Sequence, residues 1–401
     1  MTNHIAGRFI RAINNLYLVI PACLPAKTMR AQVWRESINR KDRCPIRAFG
    51  HDRQNHLRFP RSWCAGFVAI TILCWLGYHG GGDLAFAQDK TGTTIGQFLL
   101  IEPSARVAGM GNAGVALYDE IVSAYFNPGA IGYQSGYGAQ FAHSEWLADI
   151  SFDYVAASIQ LRDAGNLFVS VTSLNSGEMD VRTVEQPLGT GARYSVSNIA
   201  LGVGYGRKIT DRFAAGVQVN YIQETIWHSS VSTFALNIGT VYHLANGMRI
   251  GASLSNFGLQ GQYSGRDLRF QYDNDPDRNG DNSTLPGQVV TSSFSLPVLF
   301  RVGIAWPVRL TENNQVQLAV TAFHPNDNTE SMSFGAEWMI WKMVALRGGY
   351  QNLFLEDSEV GLTLGAGLYQ EIGGLDLRFD YAWGDHGRLE HTQRFTIGVT
   401  F

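Results

Sequence analysis

All four cysteines of this 401-residue chain, Cys23, Cys44, Cys64 and Cys74, lie before residue 88. From residue 88 onward there is no thiol, so a disulfide framework, a thiol nucleophile and a cysteine metal site are excluded for that part. Positive charge is also scarce there, with 19 Lys and Arg against 30 Asp and Glu, a net of −11. That balance argues against nucleic acid and against a basic membrane-surface patch. No run of 18 apolar residues occurs after residue 88, which excludes a spanning helix in that region. No HExxH, GxSxG or P-loop spacing is present, and the histidines are scattered, so no enzyme chemistry is expected.

The start of the chain reads as export machinery. Arg58 and Arg61 precede the apolar segment Trp63–Tyr78, and Ala85-Phe86-Ala87 forms a small-residue cleavage site before Gln88. Residues 58–87 are therefore expected to be a signal peptide. Residues 1–57 carry ten Lys and Arg against three Asp and Glu without periodicity. They read as a non-mature or disordered extension, from a start site assigned too early or a basic tail.

What dominates after residue 135 is period two. Leu375, Leu377, Phe379, Tyr381 and Trp383 alternate with Asp376, Arg378, Asp380 and Ala382, and Phe395, Ile397, Val399 and Phe401 alternate with Arg394, Thr396, Gly398 and Thr400. Such alternation marks strands with one apolar face. Segments of this kind are expected at 136–144, 150–161, 166–175, 194–207, 212–226, 231–244, 247–262, 296–307, 314–324, 329–340, 342–353, 359–370, 373–384 and 391–401. Most are about 9–12 residues, the length with which a tilted strand crosses a bilayer. The even count, brief connections at one end and long ones near 176–193 and 263–295 at the other are the pattern of an outer-membrane barrel. Aromatics near strand ends, among them Trp306, Trp338, Trp341 and Tyr205, fit an interfacial girdle. The fold expected is all-β: a transmembrane antiparallel barrel of about 14 strands over 136–401, in the bacterial outer membrane and surrounded by its lipid. Phe395, Ile397, Val399 and Phe401 would form a carboxy-terminal membrane-insertion signal.

Residues 88–135 do not alternate. They contain Ser104-Ala105-Arg106, then Gly109-Met110-Gly111, Ala113, Asp119-Glu120, Ser123, Tyr125 and Asn127-Pro128, where proline ends a short helical run. A small-residue segment of this size can fold as short helices in a barrel lumen. Charges opposite the apolar face must avoid lipid. Glu337, Arg347, Asp376, Arg378, Asp380 and Arg394 are thus expected to point inward as a charge network, with Glu102 and Arg106 on the segment that they hold. Asp275, Asp277 and Asn279, followed by Gly280, follow the opening of a calcium loop, but the closing acid position holds Pro286. This is an incomplete calcium candidate in a polar loop, and no other cofactor is implied.

The residues Ala105, Arg106, Gly109, Met110, Gly111 and Ala113, with Asp119, Asn127 and Pro128, resemble the amino-terminal motif of the PorV/PorQ family. That family belongs to the wider group of barrels similar to the FadL fatty-acid channels. Its members typically read GAR-x-x-GMGGA and then NPAG. Here Ser104 replaces the first glycine, Asn112 another, and Gly129-Ala130 inverts the last pair. The resemblance implies a hatch at 88–135 inside the lumen. It further implies a role as accessory or shuttle protein of type IX secretion, with secreted proteins bearing a carboxy-terminal signal domain and other secretion components as partners. The FadL-like architecture implies the alternative, passive transport of a hydrophobic small molecule.

Overall fold

A computed structural model describes residues 92–273, 285–355 and 358–401. The first half of the wall comprises β1 (Tyr137–Glu145), β2 (Ser151–Gln160), β3 (Asn166–Asp180), β4 (Arg193–Thr210), β5 (Phe213–Ile226), β6 (Ser229–His243) and β7 (Arg249–Gly258). An excursion follows with β8 (Ser264–Gly265), β9 (Arg269–Tyr272) and β10 (Leu285–Gln288). The second half comprises β11 (Leu299–Arg309), β12 (Asn314–Pro325), β13 (Ser331–Ile340), β14 (Val344–Leu353), β15 (Leu362–Ile372), β16 (Leu375–Asp385) and β17 (His391–Thr400). Each wall strand pairs antiparallel with both neighbours. β7 joins β11 across the excursion, and β17 returns to β1, with Gly138 opposite Thr400. The result is a closed fourteen-stranded barrel, which leaves no unpaired strand edge in the wall.

Alternation decides which face meets what. Phe141, Val155, Val169, Leu201, Ile304, Leu318, Leu346, Leu364, Phe379 and Ile397 stand exposed on the outside. Their neighbours Gln140, Ala156, Ser170, Thr321, Thr363, Asp380 and Thr396 are buried toward the lumen. This inversion of the soluble rule, apolar outside and polar inside, is that of a wall immersed in lipid. Trp306, Trp338, Trp341 and Tyr205 lie exposed near the end with short turns.

Two features differ from the alternation pattern. β3 to β6 have 15, 18, 14 and 15 residues, so their hairpins rise past the other strands at the loop end. The excess, such as Ser176–Asp180, is polar and loses the two-residue rhythm, because no lipid sets its outer face. β7 ends at Gly258, short of the expected 262, where the register against β6 shifts between Leu236 and Ile238 and Asn256 adopts φ 61°. Asparagine tolerates this left-handed backbone better than most residues. The irregularity turns both Ser255 and Asn256 inward.

The lumen is filled by 92–135. Its helical pieces are short: α1 (Ala105–Gly109), α2 (Ser123–Phe126) and single 3-10 turns at Gln97–Leu100 and Pro128–Tyr133. Ser104 caps α1 by accepting from the Val107 N–H at 3.1 Å. Asn127 stops α2, and its Oδ1 takes the Gly129 N–H at 2.9 Å to start the next turn. Val107, Met110, Leu117, Val122, Phe126 and Ile131 are fully buried and pack with lumen-facing Phe152, Tyr154, Phe168 and Ile222.

Candidate functional site

The contacts between the hatch and the wall divide by side. Toward β13–β16, α1 brings in the buried Arg106, whose Nε and Nη2 donate to both carboxylate oxygens of Glu337 at 2.9 and 2.6 Å. Arg347 on β14 donates its Nε to the same carboxylate at 2.6 Å and pairs through Nη2 with Asp380 at 2.8 Å. Arg378 donates to Asp380 at 2.5 Å and, through Nη1, to the Asp119 carbonyl oxygen at 3.2 Å. The Tyr369 hydroxyl accepts from Arg378 at 2.8 Å and from Arg347. Asp119 receives Arg249 at 3.0 Å and lies 3.5 Å from Arg106, while Glu120 lies 3.7 Å from Arg378. Burial pushes the Asp119 carboxyl up, but the adjacent Arg249 and Arg106 guanidiniums outweigh it and hold the group below the usual carboxylate range. Four guanidiniums (Arg106, Arg249, Arg347, Arg378) thus face four carboxylates (Asp119, Glu120, Glu337, Asp380). The set is electrically balanced.

Toward β4–β7 the hatch is held mostly by uncharged groups, the exceptions being Arg249 on β7, which pairs with Asp119, and Glu224 on β5, which accepts the Gly96 N–H at 2.8 Å. Asn127 Nδ2 donates to the carbonyls of Val115 at 2.7 Å and Thr240 at 2.9 Å, and Ser253 donates to the Phe126 carbonyl at 2.8 Å. Asn166 donates to Ile131 and Gln134 carbonyls at 2.6 and 2.7 Å. Hatch backbone lies directly on wall backbone: a Cβ at Gly216 would collide with the Pro128 carbonyl oxygen, and one at Gly239 with Asn127 Oδ1. This close approach explains glycine at lumen-facing positions.

Of the residues expected in the charge network, Glu337, Arg347, Arg378 and Asp380 come together in one cluster. Arg394 sits apart, donating to Glu102 at 2.9 Å with its guanidinium 5.0 Å from the Trp146 ring centroid. Asp376 shares the inward parity but is exposed at the turn-end mouth, where it lines a cavity and stands outside the cluster. Among the hatch residues, Ala105 donates its N–H to Thr396 and Gly111 to Thr363, at 2.9 and 3.0 Å. Gly109 approaches Gly365, Met110 approaches Gly335, and Ala113 is buried in the core. Ile397 and Phe401 point outward into the lipid face, and Phe395 and Val399 share their strand side half-buried. Asp275, Asp277 and Asn279 lie outside the described residues, and among the described residues no cluster of His, Cys, Asp or Glu could hold a metal. Charge alternation did not single out Arg249, Arg301 or Tyr369. Arg301 carries a readable signal, being a lone charge between outward Phe300 and Val302.

Two cavities flank the hatch. One of about 460 Å³ opens at the turn end against Asp119, Glu120, Tyr369, Asp376 and Arg378. The other, about 390 Å³, opens at the loop end against Gln97, Glu102, Asn112, Arg301 and Phe323. They share no lining residue.

The family model described as type IX secretion system protein PorV matches residues 85–264, which cover the hatch and the first half of the wall. The chain is an outer-membrane β-barrel that is similar to PorV over those residues. Solved structures similar to this PorV-like chain include a Pseudomonas aeruginosa FadL homologue (10% identity, 74% of this chain and 98% of that one, TM-score 0.47). The Pseudomonas putida toluene transporter TodX is similar at 13% identity over 75% of this chain and 97% of that one, with TM-score 0.49. The Ralstonia pickettii toluene transporter TbuX is similar at 12% identity over the same shares, with TM-score 0.46. Among curated proteins, none matches.

Proposed function

We propose that this PorV-like barrel is an accessory protein of type IX secretion that receives exported proteins through their carboxy-terminal signal domain and holds them at the cell surface. The observation that carries the reading is the hatch fastened to both sides of the wall, with separate cavities at its two ends. Such a lumen suits a rigid platform better than a conduit. The loop end supplies the docking area: the raised β3–β4 hairpin presents Val184 and Leu188 almost fully exposed, at 99% and 95%. Phe270 and Tyr272 on β9 add exposed aromatic surface. Apolar side chains on a projecting edge are the anchors that a folded partner would bury. The role is non-enzymatic.

Affinity purification of the tagged protein from native membranes tests this. Secreted proteins sharing a carboxy-terminal domain should co-purify, and a variant with residues 181–192 shortened should lose them. Recovery of lipid with no such protein would sink the reading. Passive uptake of hydrophobic molecules is the second reading, favoured by Leu100, Leu299, Phe323 and Leu355 in the loop-end cavity. It predicts entry of a labelled alkylbenzene into proteoliposomes, which a fixed hatch would block.

A further inference from the structure

We propose that Arg301 holds one small inorganic anion of halide size, such as chloride, inside the barrel behind the hatch.

The argument begins with a charge count. The network around Glu337 balances, but the pair of arginines beside Glu102 does not. Arg394 donates to Glu102 Oε2 at 2.9 Å, and Gln351 donates to Oε1 at 2.5 Å, so both oxygens are engaged. Arg301 is 3% exposed, and Glu102 is the carboxylate close enough to act on it. Glu102 therefore faces two buried guanidiniums and is bonded to only one. The other buried carboxylates at this end, Asp327 and Glu224, accept from Thr94 and Gln97 and from Gly96 and Tyr263, which leaves Arg301 without a direct ionic partner. Arg301 Nη1 donates to Ser255 Oγ at 2.9 Å, while its Nε is buried with no partner. A buried, uncompensated guanidinium is costly, and charges buried in proteins are paired.

The surroundings form a small polar chamber. Arg301 lines a cavity of about 20 Å³ with Gln218, Asn220, Asn237, Ser255 and Asn256. The irregular end of β7 builds one side, since it turns Ser255 and Asn256 inward together. Asn256 is fixed there by donating its N–H to Asn237 Oδ1 at 2.7 Å and its Nδ2 to the Pro297 carbonyl at 3.2 Å. A space of this size admits a single water-sized occupant, which excludes a carboxylate with a tail. Arg301 also lines the loop-end cavity of about 390 Å³, which gives an ion a route from outside. A water could bridge Arg301 Nε and the partnerless Gln218 Oε1, but it would leave the guanidinium without a direct counter-ion. An anion supplies one.

Crystals of the full chain grown in sodium bromide provide the direct test, because bromide is identified by its anomalous scattering. A peak beside the Arg301 guanidinium is expected, and water density there without anomalous signal overturns the proposal. In solution, replacing gluconate by bromide at constant ionic strength should raise the thermal midpoint progressively, by mass action on the folded state. R301Q should abolish the rise, and R301K, which keeps the charge, should retain part of it. An equal bromide effect in wild type and R301Q also overturns the proposal. If R301Q does not fold, the wild-type anomalous map decides alone.

Discussion

The two sides of the wall grip the hatch by different physics. Against β13–β16 the grip is electrostatic, with Arg106, Asp119 and Glu120 meeting Glu337, Arg347, Arg378 and Asp380. Against β4–β7 it is steric and backbone-mediated, with Asn127, Pro128 and Gly129 laid on Gly216, Gly239 and Thr240. The electrostatic side adds little net stability, since desolvation offsets attraction in buried pairs, but it penalises any misplacement. The steric side depends mainly on shape, with Arg249 and Glu224 as its charged contacts, and so responds less to pH and salt. A hatch held in both ways has one side that solution conditions loosen more readily than the other.

Removing a single partner from the charged side should have the largest effect. Glu337→Ala leaves Arg106 with only the 3.5 Å contact to Asp119 and Arg347 with Asp380 alone, with an expected loss of about 3–5 kcal/mol in urea unfolding from detergent micelles. The comparison sharpens with the R106A/E337A double variant. Its cost should fall well below the sum of the singles, because the two groups act as one. On the other side, Gly216→Val should cost about 1–3 kcal/mol, more if the strand cannot shift, read as a smaller heat-modifiable fraction on gels. An unaffected variant would mean that the close backbone approach is not needed. Asn127→Ala should cost about 1–3 kcal/mol, because the Val115 and Thr240 carbonyls lose their donor. The smallest effect is that of acid. The folded carboxyl of Asp119 titrates below its ordinary value, so its contribution is complete above that value and disappears as pH falls through the lowered one. Hydrogen exchange at 105–111 should therefore rise on acidification, while exchange at 127–133 stays level. Equal rises at both would erase the distinction.

The wall was readable because lipid imposes a strict two-residue rhythm, and each expected strand overlaps an observed one. The rhythm fails where lipid is absent, which hides the upper part of β3, residues 176–180, from a sequence reading. Parity alone places Glu337, Arg347, Arg378, Asp380 and Arg394 on the inner face. It cannot choose partners: Arg394 joins Glu102 because the hatch brings Glu102 there, and Asp376 is left exposed because it is the first inward position after a turn. Arg249 escaped notice at the head of its strand, next to the 244–248 turn. The glycines counted as small inward residues, yet their purpose depends on a hatch backbone whose path no periodicity encodes.

The seam between β1 and β17 bears on the order of assembly. The hatch leaves the ribosome before the wall, yet Thr363 and Thr396, which receive its N–H groups at 111 and 105 respectively, come near the end of the chain. Such distant pairings form slowly, because the intervening loop must close before they are rewarded. Since the hatch is tethered directly to β1, sealing Gly138 to Thr400 is also the step that encloses it. With no cysteine after residue 87, an A139C/V399C latch across that seam would introduce a clean crosslink. Chains oxidised before the hatch is inside should be trapped with 92–135 open to protease, whereas those oxidised afterwards should be protected.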